Sequence, residues 1–156
     1  MATEIERKFL ILNQDWQEYT NKELRIVQGY LATNEFSSTR IRIQNDKANI
    51  NIKSATLGIT RTEFKYSIPV GDARLMLEDL CIKPVIEKTR FTVEHMGHTW
   101  EIDVFSGDNE GLIVAEIELS SPDEAFEKPS WIGEEVSNDA RYYNACLVNN
   151  PYKNWP

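Results

Sequence analysis

Cysteine and histidine are scarce, with two of each in 156 residues. Cys81 and Cys146 lie far apart and in no metal-ligand spacing, which reads as two reduced thiols in a cytoplasm. His95 and His98 flank the pair Met96-Gly97 and read as loop residues at a hairpin tip. No apolar run approaches the roughly 20 residues of a membrane-spanning helix. The segment from Met1 to Leu12 carries Glu4, Glu6, Arg7 and Lys8, charges that the apolar stretch of a secretory signal does not tolerate. Positive charge is also in deficit. A net charge of −8 argues against a nucleic-acid partner, which normally meets a basic face. Internal repeats and low-complexity tracts are missing, and only the stretch after Asn149 reads as a loose tail. What remains is one domain over residues 1–156, long enough to bury a core.

What is present is a period of two. Strands are predicted at Thr3–Leu12, Arg25–Thr33, Ser38–Gln44, Ala48–Ser54 and Thr60–Ile68, then at Val85–Glu94, Thr99–Phe105 and Leu112–Ser120. Turn formers separate them at Asn34-Glu35, Asn45-Asp46, Met96-Gly97 and Gly107-Asp108-Asn109. Strands recurring at this pace describe successive hairpins, hence an antiparallel sandwich or barrel. Three helices are expected: a short one at Asp15–Leu24, an amphipathic one at Gly71–Leu80, and a third from Asp139 to about Val148. Ser137 or Asn138 would cap the third, and Pro151 would stop it. The class is α+β, mostly β.

Alternate residues of a strand share a face. On the first strand Glu4, Glu6 and Lys8 oppose Ile5, Arg7, Phe9 and Ile11. Further along, Arg40 and Arg42 oppose Ile41 and Ile43, and Asn49, Asn51 and Lys53 oppose Ile50 and Ile52. Arg61, Glu63 and Lys65 oppose Phe64, Tyr66 and Ile68. Lys88 and Arg90 oppose Phe91 and Val93, while Glu116 and Glu118 oppose Ala115, Ile117 and Leu119. One such strand would be an ordinary sheet with a wet face. Nearly every strand is built this way, however, and the polar faces hold arginines and carboxylates rather than Thr, Ser and Gln.

If the sheet closes into an eight-stranded barrel, the ionic faces can point inward, into a space just wide enough for side chains or one small ligand. The apolar faces then lie outside, covered by the three helices. Packing that many ions together with nothing between them would cost several kcal/mol per ion, on the order expected for desolvated charges. A polyanion bound with a metal resolves the conflict: the bases take the anion and the acids take the metal. All-oxygen acidic ligands, Glu with Asp103 as a further candidate, suit a hard cation, Mg²⁺ or Mn²⁺. Arginine forks match phosphate oxygens, and lysines add point charge.

Glu4-Ile5-Glu6-Arg7-Lys8 resembles the N-terminal ExExK signature of the CYTH domain, the triphosphate tunnel metalloenzymes. The resemblance continues through Gln28-Gly29-Tyr30-Leu31, Arg40-Ile41-Arg42, Lys53, Arg61-Thr62-Glu63, Lys88-Thr89-Arg90 and Glu116-Ile117-Glu118. It ends on the stretch from Asp139-Ala140-Arg141-Tyr142-Tyr143-Asn144 to Leu147. It implies a closed antiparallel tunnel crossed by a triphosphate. By matching position, Glu6, Glu116 and Glu118 would hold the metal, and Glu4 and Glu63 would hold a second metal or orient the attacking water. Lys8, Arg40, Arg42, Lys53, Lys88 and Arg90 would grip phosphates, with Arg61 and Lys65 beside them. Tyr30, on the face of Gln28, would be either a base among cations or a hydrogen-bonding wall residue.

Within that resemblance the short chain and its Gly29-Tyr30-Leu31 look like the bacterial inorganic triphosphatases. A thiamine triphosphatase is the second reading, with Trp100 or Trp131 as an aromatic clamp. Otherwise Trp16, Trp100, Trp131 and Trp155 are packing or rim residues. Nucleoside triphosphatases, adenylate cyclases and a non-catalytic polyphosphate or nucleotide binder are the remaining alternatives.

Overall fold

The computed structural model describes residues 2–156. Its strands are β1 (Thr3–Ile11), β2 (Thr20–Thr33), β3 (Ser37–Gln44), β4 (Lys47–Ser54) and β5 (Thr60–Ile68), followed by helix α1 (Val70–Asp79). Then come β6 (Ile86–His95), β7 (His98–Phe105), β8 (Ile113–Glu118), β9 (Ile132–Glu135) and helix α2 (Asn144–Asn149). Neighbouring strands run antiparallel in the order β5-β4-β3-β2-β6-β7-β8-β1, and a β5–β1 pairing closes the ring. The closing seam is short, with Thr3, Glu4 and Ile5 opposite Thr62, Arg61 and Thr60. Beyond it β9 takes over the same edge of β1, opposite Phe9 and Ile11. No long strand edge of β1 is therefore left bare.

The period-two pattern sorts side chains as expected. Ile5, Phe9, Trp100, Ile102, Ala115 and Ile117 form an outer apolar cluster with Trp16 and Trp131. A second outer cluster places Ile41, Ala48, Ile43 and Ile50 against Ala73 and Leu77 of α1. Gly29 makes that contact feasible, because a Cβ there would lie 2.9 Å from Cys81 Cβ and 3.0 Å from Leu77 Cδ2. The hairpin tip at Met96-Gly97 uses two positive φ angles, 48° and 81°. That geometry suits the right-handed twist of the flanking strands.

Four expectations need correction. The helix expected at Asp15–Leu24 is a 3-10 turn over Asp15–Tyr19, and Thr20–Leu24 already belongs to β2. Thr20 and Lys22 through Leu24 pair with β6, and that ladder outweighs a weak local helix signal. The helix expected from Asp139 breaks into a 3-10 turn (Ala140–Tyr142) and α2. Its cap is Asp139, whose carboxylate accepts from the Arg141 N–H, while Ser137 Oγ instead accepts from the Lys8 N–H at 2.9 Å.

The helices also do not all lie outside. Only α1 covers an outer face, and the Trp100 side is covered by Trp16, Phe126 and Trp131 from irregular segments. Leu147 and Val148 of α2 pack with Tyr142 against Leu10, Ile86, Phe105 and Val114. Those positions continue the inward rows of Lys8, Lys88, Asp103 and Glu116, so α2 fills one end of the barrel. Finally, the stretch after Asn149 is no loose tail. Pro151 is buried, Tyr152–Asn154 forms a 3-10 turn, and Trp155 stacks edge-on against Tyr142 and Tyr152.

Candidate active site

The barrel encloses a cavity of about 780 Å³. Every site residue that the resemblance implies lines it, whereas Asp103, the further metal-ligand candidate, is buried behind the lining. Of the bases, β1 supplies Lys8, β3 Arg40 and Arg42, β4 Lys53, β5 Arg61 and Lys65, and β6 Lys88 and Arg90. Of the acids, β1 supplies Glu4 and Glu6, β5 Glu63, and β8 Glu116 and Glu118; Tyr30 comes from β2. The charged faces are thus the inside of the barrel.

Acids and bases hold one another in place. Lys53 Nζ lies 2.9 Å from Glu4 Oε1 and 3.6 Å from Glu63 Oε2. Arg40 reaches Glu63 only at 4.0 Å. Lys8 Nζ is 3.5 Å from Glu116 Oε1 and donates to the Tyr142 carbonyl at 3.1 Å. Arg90 grips Asp103 through Nε and Nη2 at 2.7 and 2.9 Å, and Lys88 Nζ meets the same carboxylate at 2.7 Å. Arg90 also lies 3.7 Å from Glu116 and 3.3 Å from Glu101. Arg42 Nε donates to Gln28 Oε1, and Gln28 Nε2 and Lys88 Nζ both donate to Asn144 Oδ1.

Burial sets the electrostatics. It pushes the Glu6 carboxyl up to about 8, with the carboxylate of Glu116 adding to the effect. Burial acts the same way on Glu116, but Lys8, Arg90 and Lys88 overcome it and hold Glu116 well below the usual range. Glu118 is raised by burial and then by Glu4, Glu101 and Glu63. On the basic side, burial pushes Lys88 down to about 7 against the pull of Asp103. Burial, with Arg40 and Arg90 close by, also disfavours the charge on Arg42. The cavity therefore presents cations that gain from an anion and carboxylates that gain from a cation.

Among the described residues no three acidic, histidine or cysteine side chains form a ready-made metal cage, since bases hold the acids. The donor chemistry nonetheless fits a hard divalent ion. All the candidate ligands are carboxylate oxygens, and Glu6 beside Glu116 is a pair that holds a proton where a cation would replace it.

Several residues that shape the site escaped the sequence reading. Glu101 lines the cavity, and Asp103, weighed there only as a metal ligand, anchors Arg90 and Lys88. Both sit on the face of β7 opposite Trp100 and Ile102, so the same alternation marks them. Asn144 and Tyr143 lie within a stretch that reads as helical and as part of the resemblance, with no site role given to either. Tyr143 stacks under the Arg61 guanidinium at 4.3 Å, donates to the Ser137 carbonyl at 2.6 Å, and accepts from the Gly58 N–H. Trp100 and Trp131, expected as a clamp or rim, are buried in the outer cluster and face away from the cavity. His95 and His98 end β6 and start β7, and His98 Nε2 lies 2.5 Å from Glu124 Oε2. Tyr30 packs with Ile86 and Phe105 and stands opposite Arg40.

A closed antiparallel barrel with acids and bases from seven of its eight strands converging on one interior defines a class of tunnel proteins built for a polyanion. The chain belongs to the CYTH domain family, whose model matches residues 2–145. An inorganic triphosphatase of Acetivibrio thermocellus is 47% identical over 155 residues, 99% of each chain. One of Nitrosomonas europaea is 38% identical over 150 residues, 94% of this chain and 97% of that one. The crystal structure of an inorganic triphosphatase superposes with a TM-score of 0.67 at 34% identity, covering 95% of each chain. A protein of Pyrococcus horikoshii shares the fold at 17% identity, with a TM-score of 0.61 over 77% of this chain and 80% of that one.

Proposed function

We propose that this protein hydrolyses inorganic triphosphate to pyrophosphate and phosphate, with Mg²⁺ or Mn²⁺, inside the barrel. One observation carries the reading: eight bases and six glutamates from seven strands line one cavity. The relatives named as inorganic triphosphatases, similar over nearly the whole chain, support it. A pure anion binder would gain nothing from the carboxylates, which repel a phosphate chain.

Glu4, Glu6, Glu116 and Glu118 would hold the metal. When bound, it neutralises charge on the phosphates and strengthens the electrophilic phosphorus. Lys8, Arg40, Arg42, Lys53, Arg61, Lys65, Lys88 and Arg90 bind the phosphate oxygens and fix the chain in line for displacement. Phosphoryl transfer asks mainly for positioning and charge stabilisation. Glu63, between Lys53 and Arg40, orients the attacking water, and Tyr30 beside Arg40 is a second candidate to take its proton. The thiamine reading loses its clamp, because Trp100 is fully buried outside the cavity. The small ligand is the partner, and a surface of net charge −8 does not favour a nucleic acid. Among the described residues no helix is long and apolar enough to cross a membrane. Two free cysteines agree with a cytoplasmic place of action.

Phosphate release from triphosphate with Mg²⁺ or Mn²⁺ tests this. Activity should disappear in excess chelator and return on adding the ion. Full activity in chelator would remove the metal from the account, and no release under any condition would remove the reaction.

A further inference from the structure

Asn51 lies on β4 between Arg40 of β3 and Lys65 of β5, one register step from the Lys53–Glu63 pair. Its side chain lines the cavity, yet the residue is only 2% exposed. The amide nitrogen faces Glu63 Oε2 at 3.5 Å. Turning the amide over would set two oxygens against each other, so the orientation is fixed by Glu63. The carbonyl oxygen Oδ1 is thereby left buried with no hydrogen-bond partner among the described residues. Gln28, an amide one row away, makes the contrast, since both of its ends are bonded.

A buried acceptor left unpaired is costly, so such a group in a binding cavity marks the place of a donor. Neighbouring cations do not supply it. Arg40, directly opposite, has a buried Nε that is itself unpaired, and its guanidinium leans toward Glu63. Ionised triphosphate offers only acceptor oxygens. In a hydrolytic site the remaining donor is water, which carries two O–H groups.

We infer that Asn51 Oδ1 and the Glu63 carboxylate together hold the hydrolytic water, each accepting one of its O–H bonds, so that a lone pair faces the terminal phosphorus. This rests on the proposed triphosphatase reading. The water oxygen forms a bond to phosphorus, and the bridging P–O bond breaks with its electron pair leaving on pyrophosphate. One water proton passes to Glu63. Asn51 exchanges no proton; it fixes the direction of attack.

The test compares Asn51→Leu, which removes the oxygen while keeping the branched shape, with Asn51→Thr, whose hydroxyl can donate to Glu63 and accept from water. Steady-state kinetics on triphosphate with Mg²⁺ are read beside triphosphate affinity in chelator. The leucine variant should lose at least about tenfold in kcat, with KM and affinity within about twofold of the unsubstituted protein. The threonine variant should recover most of the loss. Should the leucine variant fail a thermal-unfolding check, Asn51→Ala removes the same oxygen with no added bulk and carries the same expectation. Unchanged kcat without the oxygen, a loss confined to KM or affinity, or equal losses in leucine and threonine variants would overturn the inference. Failure of the unsubstituted protein to cleave triphosphate would instead overturn the functional reading, and this one with it.

Discussion

Arg90 and Lys88 share one carboxylate: Asp103 accepts from Arg90 at 2.7 and 2.9 Å and meets Lys88 Nζ at 2.7 Å, with Asp103 fully buried. Glu101 and Glu116 flank the same Arg90 at 3.3 and 3.7 Å, so both cations are held in one buried ion network in the barrel wall. Burial of the Lys88 ammonium in that network weakens the empty protein, and an anion bound beside it offsets the cost.

That arrangement fixes a pH dependence. Burial lowers Lys88 to about 7, so between that value and the usual lysine range the unfolded chain binds the extra proton. Stability must then rise with pH across this window, and the penalty is complete below about 7. Lys88→Met, without ligand, should therefore unfold at a higher temperature than the unsubstituted protein at pH 6, with the gap narrowing toward pH 10. Triphosphate should raise the melting temperature of the variant less. Thermal melts across pH, with and without triphosphate, check both.

The carboxylates carry the metal assignment. Glu116→Gln and Glu118→Gln should each lower turnover by roughly 100-fold or more while far-UV circular dichroism stays unchanged. Activity near that of the unsubstituted protein in both would move the ion elsewhere.

The bases should divide their labour. Arg40 and Arg42 stand on one wall, Lys88 and Arg90 on another, so alanine substitution should yield one mainly KM pair and one mainly kcat pair. Lys8, 3.5 Å from Glu116, should fall with the kcat group. Near-normal kinetics for most of the five substitutions would contradict a binding role for the inner faces. Tyr30→Phe belongs in the same series: a base predicts a fall in kcat of about tenfold or more, and a wall residue predicts none.

Packing outside the barrel offers a stability test. Because a Cβ at Gly29 would lie 2.9 Å from Cys81 Cβ, Gly29→Ala must displace the segment after α1. A loss of about 1–3 kcal/mol is expected from overpacking, measured by denaturant unfolding.

Much of this architecture is legible in the chain because a period of two is a strong signal and the interior repeats it strand after strand. Glu4, Glu6 and Lys8 on one face of β1 already announce the lining, and Arg40, Arg42, Lys88 and Arg90 continue it. Long-range pairing is where legibility ends. Thr20–Leu24 has weak local preference, and its place in β2 is decided by β6 across the barrel. The four residues of β9 are too few to show alternation. Nor does α2 look unlike a covering helix until Leu147 and Val148 meet Ile86 and Phe105 at the barrel's end. Asn51 is plain in the sequence, but that its carbonyl lacks a partner depends on the exact position of Glu63.

The central claim is that the barrel interior is fitted to three linked phosphates and prefers them to an organic triphosphate. Triphosphate, ATP and thiamine triphosphate should be offered side by side with Mg²⁺, and phosphate and pyrophosphate release followed over time. Triphosphate should yield one phosphate per pyrophosphate at a kcat/KM at least about tenfold above either organic substrate, roughly 1.4 kcal/mol of transition-state preference. Equal or better use of ATP or thiamine triphosphate, or conversion of ATP to a cyclic nucleotide, would contradict the account.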